Sequence, residues 1–496
     1  MKEARHFYKY IFNVTSMIGV VLAIVATGAM VFFFLLEAFI GLDRPYLGIF
    51  VYFIFPAMLI LGLILVPLGA SLRRRQMRLE GYDGIPRFPV LDLNDSSKRN
   101  AFIFFVFATV VFVIIVSVAS YKGFHFTESP TFCGLICHKT MEPEYTAWKN
   151  SPHARVACVE CHIGPGAQWY VKAKLSGLRQ IYRTAADVYE KPIKTPVEHL
   201  RPSRDICEHC HWPEKFYSAR QKVFYHYAMD EKNTSRDTAM LINIGGTPKT
   251  PHAKGIHWHI ANDITYYARD RERLDMAYVA VKGKDGTVTE YFDTEKPPTP
   301  EEMAKAKTRL MDCTDCHNRP THIYRSPGRE MDEAFVSGHV DVTLPYIKKV
   351  AVEALGKPYK SAAEAKQGID EEIRKFYQEK YPKIAKDKEQ VITNAIKEVR
   401  AIYGRNFFPG MKVTWSTYPD HIGHFYSPGC FRCHDGKYKT KQGKTISKDC
   451  DLCHTVLSQK QENIPKGKRV TDYVHPVDIG DDLKKMNCSD CHLPSS

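Results

Sequence analysis

Every cysteine in this chain belongs to a pair, and a histidine directly follows the second member of each pair. The sets are Cys133/Cys137 with His138, Cys158/Cys161 with His162, Cys207/Cys210 with His211, Cys313/Cys316 with His317, Cys430/Cys433 with His434, Cys450/Cys453 with His454, and Cys488/Cys491 with His492. Six pairs enclose two residues and the first encloses three. Cys-x-x-Cys-His is the pattern of covalent c-type haem attachment. On one helical turn, cysteines at i and i+3 share a face and reach the two vinyl groups of a porphyrin together. The histidine at i+4 then lies under the iron as a nitrogen ligand. Disulfides give no reason for a histidine after every second cysteine, and structural zinc knuckles need no such neighbour. Seven covalently bound haems c account for all 14 thiols.

An iron that only carries electrons needs a second strong-field donor, and fourteen of the 21 histidines lie outside the motifs. His257 and His259 are two apart, so on a strand they share one face, and at least one should bind iron. His322 falls just after the fourth motif, His424 just before the fifth and His475 before the seventh. His199, His226, His252 and His421 stand in reserve.

These sites need an anchor and a scaffold. Three stretches, about residues 14–36, 46–68 and 101–120, are apolar over the length that spans a bilayer. Lys2, Arg5 and Lys9 precede the first, and Arg73, Arg74, Arg75, Arg78, Arg87, Lys98 and Arg99 lie between the second and third. The short turn between the first two carries only Arg44. By the positive-inside rule the N-terminus and the 71–99 loop are cytoplasmic, which places everything after residue 121 outside. The first span shows no small-residue cleavage site and is expected to be a retained anchor. The formal charge of +14 does not argue for a nucleic-acid partner. Seven haems would bring about fourteen propionate charges of opposite sign.

Four regions are expected: a three-span membrane anchor at 1–121, a tetrahaem module at 122–317, a helical connector at 318–429 and a C-terminal trihaem segment at 430–496. The module carries a β-containing insertion at about 212–312, where alternation from Ala277 to Phe292 around Lys284-Asp285-Gly286 predicts a hairpin. Pro297-Pro298-Thr299-Pro300 reads as a stiff linker. In the connector, Ile392, Ala395, Ile396, Val399, Ile402 and Tyr403 mark one helical face, with Gly404 ending the helix. Each attachment motif is expected to form a short helix.

A membrane helix followed by Cys133-x-x-x-Cys137-His138-x-x-Met141, Ser151-Pro-His153, Cys158-x-x-Cys161-His162 and Lys172-Ala-Lys174-x-x-Gly177 resembles the NapC/NirT/NrfH cytochromes. The likeness runs from about Phe102 to Trp212, and the motif at 313–317 completes a tetrahaem module. With three spans, seven motifs and Gly255-Ile-His-Trp-His259, the chain is most similar to a heptahaem branch of the bacterial inner membrane. The resemblance implies a membrane-anchored multihaem cytochrome c. Its expected architecture is three transmembrane α-helices and a mostly α or irregular periplasmic heptahaem region with a small β-hairpin insertion. Menaquinol would donate electrons at the first haem, and a periplasmic c-type cytochrome or terminal reductase would receive them. Two extra spans, three extra haems and the insertion depart from the one-span tetrahaem members.

The resemblance also gives residues roles. Family members ligate the first haem with a methionine close after the motif, which here is Met141, with His138 as the alternative. The spare residue in Cys133–Cys137 forces the turn to bulge, and Gly134 can supply unusual backbone angles. His153 matches the family's distal histidine. The family's quinol lysine and acid fall on Lys172 and Gln180. A glutamine cannot take a proton as a carboxylate would, which turns attention to Asp187, Glu190 or water. The same segment also reads as the basic face of an amphipathic helix at the membrane surface.

Three functions follow. The first is quinol-oxidising electron transfer, in which the protein positions and tunes its cofactors. The second is a multihaem reductase acting directly on a small substrate such as nitrite, which needs an iron with an open side in a charged pocket. The third is a sensor or docking scaffold. An exit contact is expected at the C-terminal motif, 488–492.

Overall fold

The computed structural model describes residues 13–40, 50, 54–79, 92–136, 138–164, 167–197, 201–216, 218–245, 255–460, 473–475, 478–481 and 486. Cys137, the side chain of His138, His199, His252, Cys488, Cys491 and His492 lie outside what is described. The chain divides into two compact units, 1–138 and 139–496.

The first unit holds α1 (Val14–Ile40), α2 (Phe55–Leu79) and α3 (Ser96–Glu128), each long and apolar enough to cross a membrane. Small residues let α1 and α2 approach closely, since a Cβ at Gly19 would stand 2.6 Å from the Gly62 carbonyl oxygen. The Ser16 hydroxyl donates across the same seam to the Val66 carbonyl at 2.9 Å. Phe112, Ile115 and Ala119 of α3 pack against Ala26, Met30 and Leu59. Most other apolar side chains here point outward, as lipid-facing residues must. The second span differs from expectation at its end. Its helix runs to Leu79, so Arg73, Arg74, Arg75 and Arg78 occupy its last turns and not a loop. Cations there complement the carbonyl end of the helix dipole. After α3, Phe132–Ile136 forms a π turn.

The second unit begins with α4 (His138–Lys149), α5 (Cys158–His162), α6 (Ala167–Ala185) and α7 (Ser203–Cys207). Then come β1 (Ala219–Phe224), β2 (Thr238–Asn243), α8 (Trp258–Ala261), β3 (Asp263–Ala268), β4 (Met276–Lys282) and β5 (Val288–Asp293). The expected hairpin is β4–β5, antiparallel with Lys282 opposite Val288, and Gly286 takes the left-handed position of its turn at φ +84°. It belongs to a larger element: a five-stranded sheet ordered β6-β3-β4-β5-β7, where β6 is Arg309–Leu310 and β7 is Tyr438–Lys439. A second sheet, β1-β2-β8, is completed by β8 (His454–Gln459). Strands from residues 438–459 thus close both sheets of the insertion. The proline run ends in α9 (Pro300–Lys305), where Thr299 and Glu302 make a reciprocal cap.

After α10 (Cys313–Cys316), the connector is α11 (Pro327–Val336), α12 (Ile347–Leu355), α13 (Ala362–Lys380), α14 (Pro382–Asp387) and α15 (Glu389–Asn406). Its core includes Met331, Leu344, Ile347, Ile369, Ile373 and Tyr377. All six residues named for the apolar face of α15 are buried in it. Gly404 does not end that helix, which runs two residues further to Asn406 because those turns are held by packing and by the Asn406 side chain on the Ile402 carbonyl.

Candidate haem centres

Each described motif forms a single tight turn. Cys158–His162 and Cys313–Cys316 are α-helical, Cys207 ends α7, and Gly429–Arg432 and Cys450–Leu452 are 3-10 turns. The third motif therefore departs from the expected short helix. Its helix stops at Cys207, and Cys210 lies in the turn beyond, with its N–H on the Cys207 carbonyl at 3.2 Å. That position carries Cys210 to the surface, where it is exposed, as is Cys450, whereas the other described cysteines are half-buried. The histidine N–H closes back on the first cysteine's carbonyl in His211 (2.7 Å), His317 (2.8 Å) and His434 (3.1 Å), which completes one turn of backbone around each cysteine pair. Cys210 thus keeps the local turn that the pairing with Cys207 calls for, without the burial of its counterparts Cys161, Cys316, Cys433 and Cys453. The first motif differs as its extra residue requires. A π turn holds roughly one residue more than an α turn, and Phe132–Ile136 is one. Gly134 is buried there and is not among the described residues with positive φ, so the bulge comes from the wider turn and not from a left-handed glycine.

Five motif histidines each stand opposite a second histidine. Ring centroids are 6.2 Å apart for His162 and His322, 5.9 Å for His211 and His153, and 6.5 Å for His317 and His257. They are 5.7 Å apart for His434 and His259, and 6.1 Å for His454 and His424. An imidazole nitrogen sits about 2.0 Å from a first-row metal, with its ring centre roughly 1.1 Å behind, so two rings sharing one iron stand about 6.2 Å apart. The five gaps match that figure, and the residues present fit bis-histidine haem.

The backbone prepares these rings as ligands. Nδ1 donates to a carbonyl in His257 (Ile244, 2.8 Å), His259 (Ile256, 2.8 Å) and His434 (Ser447, 2.7 Å), which leaves the other nitrogen's lone pair for a metal. His322 Nδ1 lies 3.0 Å from the Glu144 carboxylate and 3.1 Å from the Glu144 carbonyl. Burial lowers the pKa of His162, His257, His317, His424 and His454, and takes His259 down to about 4. The rings are therefore neutral near pH 7, as ligation requires. Glu144 is itself buried, which alone would raise its pKa. Hydrogen bonding from His322 and the charge of Arg319, at 3.2 Å, outweigh this and hold it at about 2.

His257 and His259 do not lie on a strand sharing one face. His257 caps α8 and His259 is inside it, so the two rings diverge to different partners. His226 stacks on Phe425, and buried His421 donates to the Asp315 carbonyl at 3.1 Å. His475 follows Val474, whose backbone pairs with the Gln459 side chain. Met141 is half-buried one turn into α4. Lys172 and Gln180 are both exposed on α6, about 12 Å apart along its axis at 1.5 Å per residue. Lys172 sits over the Trp169 ring at 5.0 Å, and Gln180 reaches Ser176 at 3.3 Å. Asp187 and Glu190 pair with Lys191 and Lys194, each at 3.0 Å. Glu144 and Arg319 had no signal in the sequence, because Glu144 lies 178 residues from His322 and 175 from Arg319 and meets them only in the folded chain.

The third, fourth and fifth motifs adjoin in chain order. The Cys207 and Cys313 side chains neighbour each other, and their interaction lowers the pKa of Cys313 and raises that of Cys207. Arg432 of the fifth motif donates to the Asp315 carbonyl of the fourth at 2.8 Å.

Comparison with known proteins agrees with this chemistry. Residues 95–211 match the N-terminal region of the NapC/NirT cytochrome c family. The chain is 63% identical to the cytochrome c-type protein ImcH of Geobacter sulfurreducens over 487 residues, covering 98% of this chain and 96% of that one. It is 30% identical to the cytochrome c-type protein NrfH of Wolinella succinogenes over 115 residues, 23% of this chain and 63% of that one. No solved structure matches. The chain belongs to the NapC/NirT cytochromes c, alongside ImcH, and is a membrane-anchored electron-transport protein of the kind that binds haem c covalently.

Proposed function

We propose that this cytochrome oxidises menaquinol and passes the electrons through seven covalent haems c to a periplasmic redox protein. Its N-terminus would lie in the cytoplasm and its haem region in the periplasm, anchored in the bacterial inner membrane. The observation that carries the reading is the set of five histidine pairs, each separated by the space of one iron. Bound haem supplies one-electron redox chemistry; the chain supplies ligands, burial and charge. His162/His322, His211/His153, His317/His257, His434/His259 and His454/His424 would be the axial sets of haems two to six. Met141 or His138 would serve the first, and His492 with His475 the seventh.

Helix α6 supports the quinol reading. Leu175, Leu178, Ile181 and Tyr182 form an exposed apolar stripe beside Lys172, Arg179 and Arg183, the composition of a helix that lies in a membrane interface. Lys172 would orient the quinol oxygen, and the proton would leave through Asp187, Glu190 or water. Direct reduction of a small substrate needs an iron with one open side, and these five sets offer none. Two measurements test the proposal. Intact mass must exceed the polypeptide by seven haems. Anaerobic mixing with a menaquinol analogue must reduce the haem α-band on a catalytic timescale. A smaller mass excess removes the haem count, and no reduction removes the quinol role.

A further inference from the structure

The fourth and fifth motifs are interlocked by three elements. His257 and His259, from one short segment, face His317 of the fourth motif and His434 of the fifth. His421 braces the Asp315 carbonyl in the fourth motif. Arg432, inside the fifth motif and only 8% exposed, spreads its guanidinium over three carbonyls. Nε donates to Gly429 at 2.8 Å, Nη1 to Arg273 at 2.9 Å and Nη2 to Asp315 at 2.8 Å. Carbonyl dipoles solvate that charge without cancelling it. Among the described residues no carboxylate pairs with Arg432, because the Asp315 carboxylate is already taken by Arg273, Arg309 and the Tyr266 hydroxyl. A buried cation without an anion is costly, and a neutral side chain could fill the space.

We infer that Arg432 is a positioning residue that sets the reduction potential where the tetrahaem module meets the C-terminal haems. The inference rests on the proposed axial sets of the fourth and fifth haems. Reduction adds one electron, drawn from the quinol, and lowers the local positive charge by one; no bond forms or breaks. A fixed cation favours that change at both irons. The junction is thereby raised in potential, and electrons are drawn from the module toward the C-terminal segment.

The test is a spectroelectrochemical titration of the full-length haem-loaded protein in detergent, followed by electron paramagnetic resonance. The fourth and fifth components are identified by the shift of their bis-histidine low-spin signals in His257→Met and His259→Met. Arg432→Gln is expected to raise the oxidised-to-reduced ratio of those components at least threefold at fixed ambient potential, about 28 mV at 59 mV per tenfold for one electron. Arg432→Lys, which keeps the charge, is expected to stay near wild type. A Gln variant with all haems bound and a wild-type curve overturns the inference, as does a Lys variant that falls as far as Gln. Should Arg432→Gln not assemble, Arg432→Met, which fills the same space without charge, is titrated in its place; a Met variant with all haems bound and a wild-type curve overturns the inference. Unchanged low-spin signals in both histidine variants would instead remove the axial sets themselves.

Discussion

Glu144→Gln offers a sharp probe of the proposed second haem. The Glu144 carboxylate lies 3.0 Å from His322 Nδ1. Adding the width of the imidazole and an iron–nitrogen bond places the charge about 7 Å from the iron position. At an effective dielectric constant of about 20, one charge at that distance is worth about 2.4 kcal/mol, or roughly 100 mV for one electron. Arg319 opposes it from 3.2 Å and takes back up to half. The negative charge favours ferric over ferrous iron, so its removal raises the potential, by about 50–100 mV. The assay is a redox titration of the purified cytochrome, in which one component moves up and the others stay. The carboxyl is held at about 2, so the effect is constant across pH 5–8. The same depressed pKa sets a stability window. Its contribution is complete above the unfolded value near 4.5 and is lost as pH falls through about 2. A titration curve unchanged or shifted downward, with the haem count intact, would refute the reasoning.

Other expectations follow from the same geometry. Replacing His424 with alanine should open the sixth haem, so that a high-spin signal or carbon monoxide binding appears at one haem. Leu178→Glu, at a position 65% exposed on α6, should slow reduction by a menaquinol analogue several-fold while dithionite still reduces every haem. Ile396→Ala, at a position 1% exposed in the connector core, should cost about 2–5 kcal/mol in denaturant unfolding and leave the haem spectrum unchanged.

The attachment motifs were legible because their code is local: five residues carry thiols, ring and turn together. The local code does not fix burial, which is why Cys210 lies exposed beyond the end of its helix while Cys161 and Cys316 are half-buried on theirs. The three spans were legible for a similar reason, since a long apolar run has few alternatives. The histidine pairs were only half legible. His153, His257, His259, His322 and His424 could be named from position, but their partners depend on tertiary closure. His153 crosses to the third motif although it precedes the second, and His259 skips the fourth motif to reach the fifth. The two-residue spacing of His257 and His259 suggested a strand, and a short helix won because Asn262 ends the turn by donating to the Trp258 carbonyl. β7 and β8 were missed because short edge strands carry little alternation of their own and exist only through their partners.

The strand β8 begins on His454, the histidine of the sixth motif, and pairs with β2, which precedes the fourth. That sheet cannot close until the chain has been made through Gln459, so the insertion must wait for residues more than 200 positions further on before its fold is complete. A chain cut short before His454 would present the bare edge of β2 to its neighbours and would aggregate in place of forming a shorter protein.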